Sequence, residues 1–539
     1  MSEPMGKMEA AGGLAVTTGV DVNAGVERLK AGDVPAKVAA KDPTLWGPDA
    51  EEEAAIRLGW VDTFVASKEL LAPLAKLRAE LHEQGVDHIA LAGMGGSSLA
   101  PEVISRTLDL GISILDTTDP GQIIAELGEA SLRRTAVVVS SKSGSTVETD
   151  SQRRAFEAAF KGVGVEDYAK RFVFVTDPGS ALESLAKEQG SPVFLADATV
   201  GGRYSALTAF GIVPTALAGA DVAELIDQAE TFANAVAGGE GDDPAVVLGA
   251  VIAAKPTITI ADDGSGIVGL GDWAEQLIAE SLGKDGKGTL PVVLEGPAAA
   301  GARGADRVYA TVGGSSTGLP GSGSQLAMPD VVVNGPLGAQ FLAWELATAY
   351  AGHLIGIDPF NQPNVTESKE NTNRILADGL PEERPHAVDG AVEIYGSHAE
   401  TVAGALGEVL TNADSEGAYI AVLAYLDRFD DAEIARLRAE LADRTGAPVT
   451  WGWGPRFLHS TGQFHKGGRQ TGVFLQLTGE VGEDLVIPGR DYTFAGLQAA
   501  QAAGDRQALQ SRERPTVRLH LTDRKRGVNQ ILHAVRELS

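Results

Sequence analysis

The chain contains no cysteine. That excludes disulfides, thiolate metal sites and cysteine nucleophiles together, and it is compatible with a reducing compartment. No uninterrupted apolar stretch reaches about 18 residues, so no segment is expected to span a membrane. Basic residues are short as well: 44 Lys and Arg stand against 73 Asp and Glu, for a formal net charge of -29. Phosphate backbones are bound by clustered cations, so nucleic acid is not an expected partner, whereas a small anionic substrate needs only a few local donors. The N-terminus carries Glu3 and Glu9 where a signal peptide would carry positive charge, and its apolar run is broken by glycine. Residues 1–45 therefore read as a mobile tail and the chain as cytoplasmic.

What is present is a 539-residue chain, 44% hydrophobic and 22% charged, long enough for about three domains. Residues 50–84 read as helix. Strand patterns at 87–92, 113–115, 135–139, 172–175 and 193–195 then alternate with helical ones across a first block, 46–237. The Gly- and Asp-rich stretch Gly238–Pro244 marks a boundary. A second block, 245–378, repeats the alternation with strands at 257–260, 292–294, 308–310 and 331–333. After Asp378-Gly379-Leu380-Pro381, a third block, 388–539, places strands at 419–425, 449–453, 473–477 and 517–521, with helices at 432–444 and 527–538. Such alternation predicts an α/β protein: two doubly wound parallel-sheet domains plus a C-terminal α/β domain.

Residues 138–149, Val-Val-Ser-Ser-Lys-Ser-Gly-Ser-Thr-Val-Glu-Thr, follow a predicted strand with a run of hydroxyls, one lysine and one glycine. Hydroxyls and backbone N–H groups of a loop entering a helix suit a phosphate dianion. The same loop can simply cap a helix through Ser143 or Ser145. Gly93-Met94-Gly95-Gly96-Ser97-Ser98 occupies the matching place after another strand, either for close backbone approach to a ligand or for strand-to-helix packing. In Gly201-Gly202-Arg203-Tyr204-Ser205 the arginine precedes an apolar helix, where it can hold an oxyanion or tie loop carbonyls together. Glu280 ends an amphipathic helix before Gly283. A carboxylate beside apolar groups is suited to carbon-acid base chemistry, although a solvated glutamate is the commoner case. Lys369 lies in Asp358-Pro-Phe-Asn-Gln-Pro-Asn-Val-Thr-Glu-Ser-Lys369, where Pro363 is expected to begin a helix capped by Gln362; taken alone, a surface lysine is the commoner reading.

In combination and in order, these segments resemble those of the phosphoglucose isomerases, over parts of residues 45–378. With its Asp42-Pro43-Thr44-Leu45-Trp46 segment and long third block, the chain is most similar to the isomerase half of transaldolase/phosphoglucose-isomerase fusions. The resemblance implies that both doubly wound units are sugar isomerase domains, and that the reaction interconverts D-glucose 6-phosphate and D-fructose 6-phosphate. Phosphate would be held by Ser141, Ser143, Ser145 and Thr146, with Gly96, Ser97 and Lys142 nearby and Gln362 at the substrate. Lys369 and a histidine would open the ring, Glu280 would move the proton between C2 and C1, and Arg203 would stabilise the enediolate. The substrate is thus a small sugar phosphate; no cofactor and no metal are implied, and a homodimer is possible. Mannose 6-phosphate activity, and a non-catalytic sugar-phosphate sensor, are the alternatives. One departure concerns the family's ring-opening histidine, which lies between the glutamate and the lysine. The single histidine there, His353, sits in an apolar run and reads as a packing residue. His459 or His465, in the third block's Leu458-His-Ser-Thr-Gly-Gln-Phe-His-Lys-Gly-Gly468, is expected to take that role, His459 by preference; a structural loop is the other reading.

Overall fold

The computed structural model describes residues 8–238, 243–297, 299–314 and 328–538. The expected boundary at Gly238–Pro244 therefore lies largely outside the described residues, as do the first seven residues of the expected tail. Strands β1 (Met8–Ala11) and β2 (Leu14–Thr18) precede β3 (His88–Gly93), β4 (Ile112–Leu115), β5 (Thr135–Ser140), β6 (Phe172–Thr176) and β7 (Val193–Leu195). Then come β8 (Thr257–Asp262), β9 (Leu290–Val293), β10 (Arg307–Val312) and β11 (Val331–Asn334). The last group is β12 (Ala387–Asp389), β13 (Val392–Tyr395), β14 (Tyr419–Tyr425), β15 (Val449–Trp453), β16 (Gly472–Gly479) and β17 (Thr516–Leu521). The helices that carry the site are α1 (Val147–Gly162), α2 (Leu270–Leu282), α3 (Thr366–Asp378), α4 (Gly462–Gly467) and α5 (Phe494–Gln510). Among the described residues, no helix is long and apolar enough to cross a membrane.

Each block has a parallel sheet. The first runs β4-β3-β5-β6-β7, the second β1-β2-β11-β10-β8-β9 and the third β12-β13-β17-β16-β14-β15. Every strand anticipated from the sequence is present; the additions are antiparallel. The N-terminal segment is not a mobile tail: β2 pairs antiparallel with β11, Thr17 opposite Val332, and β1 pairs with β2. The physical reason is a hairpin. Gly12 and Gly13 both have positive φ, 52° and 82°, which a two-residue type I′ turn requires. Leu14 and Val16 then alternate inward and are fully buried. The β12–β13 hairpin turns through Gly390 and Ala391 between the paired Asp389 and Val392, with Gly390 at φ 58°.

The expected helix over 50–84 is broken into Glu51–Ala54, Thr63–Ser67 and Leu71–Glu83. Gly59 interrupts it, since its N–H bonds the Thr199 carbonyl at 3.2 Å and a Cβ there would stand 2.1 Å from Thr199 Oγ1. Next to it, Trp60 is fully buried and stacks on Tyr204 at 4.9 Å. A single apolar core runs through the first two blocks, joining Val16, Leu91, Val138, Ile258 and Val333. The third block has its own core around Ile420, Val422, Leu475 and Leu519. It is joined to the others twice: Phe494 and Leu497 of α5 pack on the first sheet, and Tyr419 and Phe474 pack with Leu290 and Tyr309 of the second.

Candidate active site

Strand order β4-β3-β5-β6-β7 reverses direction between β3 and β5, and crevices of doubly wound sheets lie at such reversals, beyond the carboxyl ends of the strands. The glycine loop after β3 and the hydroxyl loop after β5 flank that point. In the second loop Ser141 Oγ and Thr146 Oγ1 are 2.9 Å apart, as are Ser143 Oγ and Ser145 Oγ, and Gly144 sits at φ 72°. Thr146, not Ser143 or Ser145, occupies the cap position of α1, and no side chain caps that helix. Lys142 is engaged elsewhere, 2.6 Å from Asp177 Oδ2. Ser97 is buried in the glycine loop, and Gly96 could carry no side chain, because a Cβ would lie 1.9 Å from the Gly202 carbonyl oxygen. The glycine loop is thus packed directly on the arginine segment.

Arg203 is buried, and it ties carbonyls together as one of its two sequence readings suggested: Nη2 donates to Pro359 O and to Asn361 O at 3.1 Å, and Nε to Ser281 Oγ at 2.8 Å. These contacts fix the guanidinium so that Nη1 faces Glu280 Oε2 at 3.5 Å. Glu280, in the last turn of α2, is buried too, and Gln362 Nε2 donates to its Oε2 at 3.2 Å. Burial pushes the Glu280 carboxyl above its ordinary value, against the opposing pull of Arg203. Gln362 does not cap the lysine helix as expected; α3 begins only at Thr366, with Lys369 in its first turns.

The third block brings His459 to the first turn of α1. His459 Nε2 is 2.9 Å from Glu148 Oε1 in the first turn of α1, and Gln501 Nε2 of α5 donates to the same oxygen at 2.7 Å. Burial raises the Glu148 carboxyl, but the charge and hydrogen bond of His459 more than offset this and hold it below the usual range. Gln276 of α2 donates to the His459 carbonyl at 2.7 Å, so the imidazole segment and the Glu280 helix are directly linked. His465 is not placed for ring opening. It is fully buried in α4, stacked on Tyr419 with Nδ1 3.0 Å from the phenol oxygen, and burial pulls it down to about 3. His353 Nδ1 is bonded to the Leu45 carbonyl at 2.8 Å. Gln463 clamps α4 in place by donating to Gly283 O and Asn364 Oδ1, both at 2.9 Å.

A cavity of about 380 Å³ is lined by Ser143, Ser145, Thr146, Glu148, Lys369, His459, Lys466 and Gln501, within the range usual for small-molecule sites. Lys466 forms a buried ion pair with Asp505 of α5 at 2.6 Å. A larger cavity of about 690 Å³ lies beside Glu102, Asp272 and Arg456. Its Arg456 and Arg428 are committed to Glu102 and Asp116, and none of the anticipated site residues line it. The structure therefore brings together Arg203, Glu280 and Gln362 in one cluster. The hydroxyl loop, Lys369 and His459 form a second, joined to the first through Gln276, while Lys142 and His465 stand apart.

A model of the family described as phosphoglucose isomerase matches residues 80–255. A protein of Halobacterium salinarum described as a probable glucose-6-phosphate isomerase is 30% identical over 340 residues, which cover 52% of this chain and 78% of that protein. The chain belongs to the phosphoglucose isomerase family. Another member, the glucose-6-phosphate isomerase of Thermosynechococcus vestitus, is 33% identical over 249 residues, 42% of this chain and 46% of that one. The chain spans about half the length of the first curated relatives it matches. Among solved structures, a glucose-6-phosphate isomerase from Chlamydia trachomatis shares the fold with a TM-score of 0.53 at 19% identity, over 70% of this chain and 91% of that one. Within this phosphoglucose isomerase family member, sequence reading missed Glu148, Gln276, Gln501 and Lys466. Glu148 lay in plain view at the end of the hydroxyl motif. Gln501 sits in an Ala- and Gln-rich helix that carries no local signal.

Proposed function

We propose that the protein interconverts D-glucose 6-phosphate and D-fructose 6-phosphate by proton transfer through a cis-enediol. The observation that carries this reading is the buried Glu280 carboxyl, 3.5 Å from the fixed Arg203 guanidinium and tied by Gln276 to the His459 segment that lines the cavity. Phosphate is held by the hydroxyls of Ser143, Ser145 and Thr146 and by the uncapped start of α1, whose N–H groups and dipole favour an anion; Ser141 holds Thr146 in place. Lys369 and His459 move the proton from the C1 hydroxyl to the ring oxygen, with Glu148 fixing the imidazole. Glu280 then takes the C2 proton and returns it to C1, while Arg203 stabilises the enediolate oxygen.

His459 comes from the chain's own third block, so the site is complete without a second subunit, and a homodimer would not be needed for chemistry. The third block and the Asp42–Trp46 segment sustain the likeness to the isomerase half of transaldolase fusions, and a cytoplasmic setting suits a glycolytic step. The deciding experiment is an isomerase assay of the purified chain with glucose 6-phosphate, fructose 6-phosphate and mannose 6-phosphate, alongside Glu280→Gln. Turnover of the first pair, lost in the variant while sugar phosphate still binds, is expected. Normal turnover in Glu280→Gln would overturn the mechanism, and binding without turnover in the unaltered chain would favour a sensor.

A further inference from the structure

The third sheet has its own reversal point, between β14 and β16 in the order β17-β16-β14-β15. A cavity of about 450 Å³ opens beyond the carboxyl ends of those strands, lined by Tyr425, Thr478, Gln498, Arg506, Arg518 and Glu383 among others. This is where doubly wound sheets bind ligands, and no step of the isomerase reaction uses it. Its polar groups are unevenly satisfied. Tyr425 Oη, Gln498 Nε2, Arg506 Nε and Arg518 Nε are buried donors without an acceptor; Tyr425, Gln498 and Arg506 are 1%, 5% and 6% exposed. Both arginines lean on one carboxylate: Arg506 Nη2 donates to Glu383 Oε1, and Arg518 Nη2 to Oε2 at 3.0 Å. Glu480 lines the same cavity with His520 Nε2 3.3 Å away, and the Nε groups of both guanidiniums remain without an acceptor in a half-closed space, which is costly unless an oxyanion takes them. Arg518 is also held rigid against the Tyr395 ring, 3.8 Å from its centroid.

We propose that this cavity is a second ligand site, for a small oxyanion-bearing metabolite that engages Arg506 and Arg518, and that Glu383 occupies the anion position when the ligand is absent. Glu383 belongs to the irregular segment between α3 and β12, so it can yield the arginines without unfolding an element. The site has a physical route to the catalytic cavity. Gln498 and Arg506 face it from α5, and the same helix carries Gln501, which holds Glu148, and Asp505, which holds Lys466.

The test is calorimetric titration of the full chain with inorganic phosphate and, separately, malonate, which share the oxyanion chemistry and distinguish a phosphate from a dicarboxylate ligand. Glu383→Gln removes a tethered competitor whose effective concentration is in the millimolar range, so at least about tenfold tighter binding of one of the two anions is expected. Arg518→Met should abolish the binding that Glu383→Gln tightens, leaving only phosphate bound at the hydroxyl loop, and Lys369→Met, at the other cavity, should leave the tightened binding intact. Unchanged affinity in Glu383→Gln would show that the arginines merely staple the linker, and so would binding that survives Arg518→Met while falling with Lys369→Met. Should Arg518→Met not fold, Gln498→Met replaces it with the same expectation. None of these readouts needs turnover, so they stand apart from the assay of the isomerase reaction.

Discussion

His459 Nε2 lies 2.9 Å from Glu148 Oε1, and the two residues are 311 positions apart in the chain. A carboxylate bonded to one ring nitrogen sets the tautomer and the orientation of the imidazole. Replacing His459 by Asn or Glu148 by Gln should each lower kcat by about 10² or more, in the range general acid–base groups supply. Because the residues act as one unit, the double variant should be little worse than either single one. Steady-state rates of the three variants check this, and full additivity would mean that the two do not work together.

The acid limb of kcat/KM should report Glu280. The base works ionised, and burial raises its pKa, so protonation sets in at higher pH than for an ordinary glutamate and the rate falls as pH drops through that raised value. A limb above about 4.3, the unperturbed glutamate value, is expected in a pH–rate profile. Arg203→Met removes the opposing positive charge and should move the limb further up.

Gly96→Ala should damage the site at a distance from the reacting bonds. Its Cβ would meet the Gly202 carbonyl oxygen at 1.9 Å, and relief requires the arginine segment to shift. A loss of about 1–3 kcal/mol in stability is expected, with a larger proportional loss of kcat than in a control such as Gly85→Ala, whose surroundings are open but whose positive φ carries a strain of its own. Thermal melts and kinetics on both variants separate the two effects.

Acid should loosen the docking of the third block. Burial pushes Glu102 up, but Arg456 and Arg428 more than offset it and hold it at about 2. A depressed carboxylate contributes fully above its unfolded pKa of about 4.3, and that contribution is lost as pH falls towards 2. Arg456→Met leaves the buried Glu102 and Asp116 to share Arg428 alone, at a cost of up to about 3–5 kcal/mol. Its acid-unfolding midpoint, followed by near-ultraviolet dichroism, should lie at higher pH than that of the unaltered chain.

The α/β class, the parallel strands of all three sheets and the loops at the first reversal point are legible because parallel strands buried on both faces read as short apolar runs. The hairpins Met8–Thr18 and Ala387–Tyr395 were not read, although Gly12-Gly13 and Asp389-Gly390 are turn signals; both add antiparallel edges, where alternation is brief. Arg203 and Glu280 were found as separate candidates and lie side by side. The sequence favours His459 over His465, whereas the burial of His465 against Tyr419, 46 residues away, leaves no local pattern to read. Gln362 reads locally as a helix cap, whereas its partner is Glu280, 82 residues away; long-range partners leave no periodic trace.

β2 and β11 close the second sheet across a long interval of chain: Thr18 Oγ1 donates to the Asp330 carbonyl over a separation of 312 residues. At synthesis rates of about 5–20 residues per second, the N-terminal hairpin leaves the ribosome roughly 15–60 s before the strand it must join. Throughout that time Leu14 and Val16 have no sheet to enter. The first sheet can form as it emerges, but the second cannot be finished until its last strand arrives, so until then the nascent chain carries an unpaired apolar edge.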